Sequence, residues 1–381
     1  MGGDDAAARG DGEREPFIDF VRAFSLVVVV VWHWAFTILI WRADGPHASN
    51  PIGFTRGMWL LTWLLQVMPL FFFVGGYANL RSYVASRRRG IPTSRFVARR
   101  LRRLVVPSVG LALAWGALMV TVPVLFEARW IGRATLLVLS PLWFIAVYVL
   151  IVALFPLWYR LHGRFGPLVV VWLAGIAAIV DIARFAHDVP WVGWVNMLAV
   201  WGLAHQLGFS YGDLVRIGDR RWYATMAWAG LFGLFALVWS GAYPGSMVGV
   251  PGERFSNMSP PSLAIVALVF FQAGVALLVR PWVVARLERP AWERANALLN
   301  RFAMPLFLFH TTGFAIALTV GYLLSGRETY AITPTPEWWL GRPLALVGPF
   351  VGTLPFLWAY ALLTRRRSAA EVAGIEPTGR V

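Results

Sequence analysis

Long apolar runs alternate with short polar, arginine-bearing segments along almost the whole chain. Ten runs reach the length of about 20 apolar residues that a bilayer-spanning helix needs: 17–41, 57–80, 104–126, 138–160, 167–185, 191–211, 222–241, 262–280, 302–325 and 342–364. The pattern predicts an all-α, polytopic membrane helix bundle of about ten transmembrane helices. The fifth and sixth runs meet where Asp181, Arg184, His187 and Asp188 crowd together. The expected organisation is a polar, disordered cytoplasmic tail over 1–16, one transmembrane domain over 17–365, and a cytoplasmic tail over 366–381. Neither a soluble domain nor an internal repeat interrupts this order.

The polar segments are unequal, and their inequality orients the bundle. The segment 81–103, after the second run, holds nine arginines, at 81, 87, 88, 89, 95, 99, 100, 102 and 103. Alternate later segments continue the bias, through Arg160 and Arg164, then Arg216, Arg220 and Arg221, then the series from Arg280 to Arg301, then Arg365 to Arg367. The intervening segments are poor in arginine. By the positive-inside rule both termini are cytoplasmic, which an even number of spans also requires. The longest outer loops are then 242–261 and 326–341.

Composition agrees. Of the 381 residues 58% are hydrophobic and 14% charged, with mean hydropathy +0.63; soluble domains average about 45–50% and 25%. The net charge of +15 would suit nucleic acid, but the arginines flank apolar spans, which topology explains, so no nucleic-acid partner is expected. Without cysteine, disulfide and thiolate chemistry are excluded. The first segment, MGGDDAAARGDGEREP, lacks the basic start and cleavage site of a signal peptide, so the first span reads as a permanent anchor in the cell membrane, with lipids as surroundings.

Against this background a few polar residues stand out. In PFIDFVRAFSLVVVVVWHWAF, Arg22 and His33 are separated by ten residues. Eleven helical steps make about three turns, so both side chains share one face, about 16 Å apart. Ionisable groups inside a membrane are costly and mark function by default. A neutral imidazole can take a proton from a hydroxyl; the plainer reading is a hydrogen bond to a neighbouring helix. Asp19 and Arg22 suit an interfacial ion pair. In RFVARRLRRLVVP, Arg100 and Arg103 lie one turn apart, and guanidinium forks fit phosphate oxygens, whether of a coenzyme A thioester or of lipid headgroups. Gly75 and Gly76, in MPLFFFVGGYANL, permit close packing. His205 and His310 read first as polar packing residues. No metal-ligand spacing is present, so no metal is expected.

Taken in order, these segments resemble the acyltransferase 3 family of integral membrane O-acyltransferases. IDFVRAFSLVVVVVWH resembles its first span, whose hallmark is a basic residue, ten residues and a histidine. MPLFFFVGGYANL resembles the second span, RFVARRLRRLVVP the basic stretch before the third, SPLWFIAVYVLIVALFPL the fourth, and MPLFLFHTTGF a late span with a histidine. The likeness extends over about 17–365. It departs at Gly75, where serine is commoner, and in lacking the soluble hydrolase-like domain some relatives carry.

The resemblance implies an enzyme that transfers acyl groups other than aminoacyl groups. The donor would be a cytoplasmic acyl-CoA, acetyl-CoA foremost, used as a substrate with no bound cofactor. The acceptor would be a hydroxyl of a cell-envelope glycan, a lipid-linked sugar or a small metabolite. Carried onto this chain, His33 is the catalytic base with Arg22 in support, Asp19 and His310 assist, and Arg100 and Arg103 hold the donor. The alternatives are a transporter or exporter of a glycan or lipid, which would show inverted repeats and a midplane site, and a non-catalytic scaffold.

Overall fold

The computed structural model describes residues 15–126, 128, 130–250, 253, 255–325 and 333–372. Residues 1–14 of the expected N-terminal tail and 373–381 of the C-terminal tail lie outside the described residues. In chain order come α1 (Pro16–Phe36), β1 (Ile38–Arg42), β2 (Gly45–Ser49), α2 (Leu61–Leu65), α3 (Met68–Arg88) and α4 (Thr93–Phe126). There follow α5 (Ile131–Leu139), α6 (Leu142–Ala153), α7 (Phe155–Phe165), α8 (Leu168–Ala186), α9 (Asn196–Phe209) and α10 (Tyr211–Ile217). The chain closes with α11 (Arg220–Trp239), α12 (Leu263–Leu287), α13 (Pro290–Ser325), α14 (Pro336–Leu340), α15 (Arg342–Ala345) and α16 (Val347–Val372).

The fold is all-α apart from one hairpin, and the protein is a multi-pass membrane protein. Among the described residues eight helices are long and apolar enough to cross a bilayer, or nine if the bent pair α5 and α6 forms one span. The predicted ten differ from this in number at the fourth and sixth spans, and in extent at the first. The first span ends at Phe36 rather than 41, and residues 38–49 form the hairpin instead. The fourth, expected at 138–160, is broken: α5 and α6 meet at 42° around Ser140 and Pro141, where proline supplies no N–H to continue a helix, and α7 starts afresh at Phe155. The sixth, expected at 191–211, is the 14-residue α9 behind a 3-10 turn at Pro190–Val195.

Burial follows composition helix by helix. Only 11% of the most apolar window of α4 is buried, and Val124 and Phe126 stand 79% and 74% exposed. Such a surface is stable only against lipid. By contrast α9 is buried from Ala199 to Phe209 and carries Asn196, His205 and Gln206, which protein neighbours can satisfy.

By contacts the chain divides into two units. The first comprises 1–28, 52–110 and 141–300. Its helices meet along glycine seams: a Cβ on Gly76 of α3 would strike the His205 carbonyl of α9, and one on Gly208 of α9 would strike the Phe73 carbonyl of α3. Small residues let these backbones touch. The second unit comprises 29–51, 111–140 and 301–381. In it β1 and β2 pair antiparallel, from Ile38 with Ser49 to Arg42 with Gly45. Gly45 has φ +117°, and a Cβ there would press to 3.2 Å from both Trp130 and Arg133. Only glycine combines that conformation with that proximity. Trp41 and Trp130 then pack with ring centroids 5.7 Å apart. At the hairpin turn the Asp44 carboxylate bonds Arg133 at 2.7 Å and His47 at 2.8 Å. Those two partners hold it down to about 2.

Candidate functional site

In the second unit, His33 occupies the last turn of α1. The Thr37 hydroxyl donates to the His33 carbonyl at 2.6 Å, which satisfies one of the C-terminal carbonyls the helix leaves open. The His33 ring faces His310 of α13, with His33 Nδ1 3.2 Å from His310 Nε2. His310 is fully buried. Its Nδ1 lies 2.6 Å from the Phe307 carbonyl, and its own carbonyl accepts from Trp34 Nε1 at 2.8 Å.

These contacts assign the tautomers of the neutral pair. A carbonyl only accepts, so His310 Nδ1 carries a proton and donates it to Phe307. His310 Nε2 then holds a lone pair and accepts from His33 Nδ1–H. The proton of His33 is thereby fixed on Nδ1, and Nε2 keeps its lone pair. His33 also lines an open pocket of about 350 Å³ bordered by the hairpin, α4, α5 and α13. The arrangement can therefore present an oriented proton acceptor to a ligand in that pocket.

The first unit holds the arginines. Arg22 donates from Nη2 to Asp19 at 2.8 Å and from Nε to Asn300 Oδ1 at 2.7 Å. Asn300 in turn donates to the Asp19 carbonyl at 2.9 Å. The expected Asp19–Arg22 pair is present, clamped by an asparagine that sequence reasoning missed. Its signal was Asn296, one turn before Asn300, whose carbonyl and side-chain oxygens both bond Asn300 Nδ2 at 2.9 Å. On α4, Arg100 donates from Nη2 to the Ala78 carbonyl at 3.2 Å and to Ser82 Oγ at 2.9 Å. Arg103 is exposed. The two arginines thus differ: one is fastened to α3, the other faces outward.

Close to Arg100 lies a buried group the sequence did not announce. Asn79 Nδ2 reaches the Tyr148 hydroxyl at 3.2 Å and His205 Nε2 at 3.1 Å, so His205 packs as a polar core residue. Tyr148 also gives the departure at Gly75 a physical reason. A Cβ at position 75 would lie 2.7 Å from the Tyr148 hydroxyl and ring. The volume a serine would fill there is already occupied. Among the described residues no three His, Asp or Glu side chains converge as a metal site would require.

A protein-family model for the acyltransferase domain of the acyltransferase 3 family matches residues 15–364. No curated protein and no solved structure matches the chain. The matched region contains α1 with Arg22 and His33, the arginines of α4, and His310 on α13. The chain belongs to the acyltransferase 3 family.

Proposed function

We propose that the protein is a membrane O-acyltransferase that moves an acyl group, acetyl foremost, from a cytoplasmic acyl-CoA to a hydroxyl of a glycan, lipid-linked sugar or small metabolite of the cell envelope. The observation that carries this reading is the His33–His310 pair beside the cavity: hydrogen bonding leaves His33 Nε2 as the free acceptor. Family membership supplies the reaction class.

In the proposed step, His33 Nε2 takes the acceptor hydroxyl proton as the oxygen attacks the thioester carbonyl. The carbon–sulfur bond breaks as the carbonyl re-forms. The proton returns from His33 to the coenzyme A thiolate, so that ester and free thiol leave. His310 acts as a positioning residue: it fixes the ring tautomer and accepts from Nδ1–H while His33 is charged. Arg22, held by Asp19 and Asn300, supports the cationic end of the same helix. Arg100 and Arg103 bind the phosphates of the donor, Arg103 by its exposure and Arg100 from its anchored position.

Purified protein in nanodiscs, given radiolabelled acetyl-CoA and an envelope extract, is expected to transfer label to an extract component. Arg103→Gln raises KM for the donor while leaving kcat nearly unchanged, the signature of a binding contact. Unchanged KM in Arg103→Gln refutes its role. Accumulation of an extract component inside vesicles without acyl-CoA favours the transporter instead.

A further inference from the structure

The open pocket beside His33 is graded from apolar to polar. Trp115, Ile131 and Val138 on its wall are buried. Trp41, Trp130 and Tyr322, which carry indole N–H groups and a hydroxyl, are exposed. The hydroxyls of Thr311, Ser140, Thr319 and Thr37 donate back to the main-chain carbonyls of Val138, Leu137, Ala315 and His33, at 2.9, 2.8, 2.9 and 2.6 Å. The buried Trp115 N–H goes to Thr312 Oγ1 at 3.1 Å. The buried wall therefore suits a hydrocarbon, which leaves water without needing a polar partner. The exposed part of the wall offers the polar contacts.

The proposed step fixes what starts at this pocket. A general base must lie within about 2.6–3.2 Å of the oxygen it deprotonates, and that oxygen bonds the thioester carbon. The tail on that carbon therefore begins next to His33, which lines the pocket. A volume of about 350 Å³ has room for roughly ten groups the size of a water molecule, about 30 Å³ each, and a methylene is of that size. An acetyl group would leave most of it unfilled. We propose that the pocket is the acyl-chain site, and that the preferred donor carries a medium-length acyl group of roughly six to ten carbons. Acetyl is then the poorer substrate, because it forgoes the buried wall. The proposal rests on the acyl-transfer reading and keeps its step: the acceptor oxygen bonds the acyl carbon, the carbon–sulfur bond breaks, and the proton passes through His33 to the coenzyme A thiolate.

Octanoyl-CoA bearing a diazirine near its tail end, photolysed with the full chain in nanodiscs without acceptor, reads the tail's position without turnover. Peptide mass spectrometry is expected to find the label within residues 131–138 and 314–322. Label confined to exposed apolar positions such as Val124 and Phe126 overturns the proposal. Transfer from acetyl-, octanoyl- and palmitoyl-CoA to an envelope extract gives the preference. Each buried methylene is worth about three- to fourfold. So kcat/KM for octanoyl-CoA is expected to exceed that for acetyl-CoA by roughly ten- to a thousandfold, and palmitoyl-CoA, too long for the volume, falls below octanoyl-CoA. Longer chains also partition into nanodisc lipid, so the octanoyl-to-acetyl ratio is compared across variants. Ala134→Phe and Ala315→Phe, which fill the pocket, lower it by roughly tenfold or more. Ala114→Phe, on an exposed face of α4, leaves it unchanged. No octanoyl preference in the native protein overturns the proposal. So does a preference that both pocket-filling variants leave intact, which gives the pocket to the acceptor. Label in the pocket with no transfer from any donor refutes the acyl-transfer reading and upholds the tail site. Octanoyl preference with transfer unaffected by His33→Ala refutes the base and upholds the tail site.

Discussion

His310 is the sharpest place to perturb the proposed chemistry without touching a reacting atom. His310→Phe keeps a ring of similar bulk but removes the acceptor that His33 Nδ1–H reaches at 3.2 Å. The Val29 backbone, which His33 also meets, is then its remaining partner, and the lost bond to His310 costs about 0.5–1.5 kcal/mol. The cost falls only on the tautomer with the proton on Nδ1. The other tautomer, with the proton on Nε2, escapes it and cannot act as base toward the cavity. At ~1.4 kcal/mol per tenfold, the fraction of His33 ready to accept a proton falls roughly 2- to 12-fold. Because that fraction multiplies the chemical step, kcat falls by the same factor and KM for acyl-CoA stays unchanged. Initial rates in nanodiscs give the kinetic split, and ring-nitrogen chemical shifts of histidine-labelled protein give the tautomer. A folded His310→Phe variant with native kcat refutes the reasoning.

Two further outcomes follow from the packing. Gly75→Ser displaces Tyr148, whose hydroxyl lies 2.7 Å from the added Cβ, and destabilises the protein by about 1–3 kcal/mol. In the background Tyr148→Ala the same change costs clearly less, and additive thermal shifts contradict the contact. At the hairpin turn, Asp44 sits at about 2 instead of its ordinary 3.8 because His47 and Arg133 bond the ionised form. A carboxylate lowered in this way stabilises above its unfolded value and loses the effect as pH falls through its folded one. Amide-exchange protection of residues 38–49 is therefore expected to be flat at neutral pH and to fall between about pH 4 and 2, a step that Asp44→Asn removes; an unchanged acid step in that variant contradicts the clasp.

Much of this was legible in the chain. The membrane class followed from apolar runs whose length physics fixes, and the family from motifs in order. The Asp19–Arg22 pair followed from helical spacing. What escaped depended on distant partners. The apolar run 38–41 continues the first span in composition, yet Gly45 and the Trp130 surface turn it into a hairpin. The run at 191–211 looked like a span, but its helix is 14 residues long and polar on buried faces. The cluster at the junction of the fifth and sixth runs resolves around Asp181, whose buried carboxylate accepts from Asn196 at 3.0 Å, Tyr243 at 3.1 Å and the Leu263 backbone N–H at 2.7 Å. That ties Tyr243, in the loop before α12, to the start of α12. His310 read as a packing residue because its contact with His33 spans 277 positions, beyond any local pattern.

The central claim is that His33 Nε2 removes the acceptor proton. It is tested most directly by single-turnover transfer from radiolabelled acetyl-CoA to an envelope acceptor, comparing native protein with His33→Ala and His33→Gln at equal folded fraction and saturating donor. Loss of a general base predicts a fall of roughly 10²- to 10⁴-fold in both variants, with donor affinity retained. Transfer at the native rate in folded His33→Ala contradicts the claim.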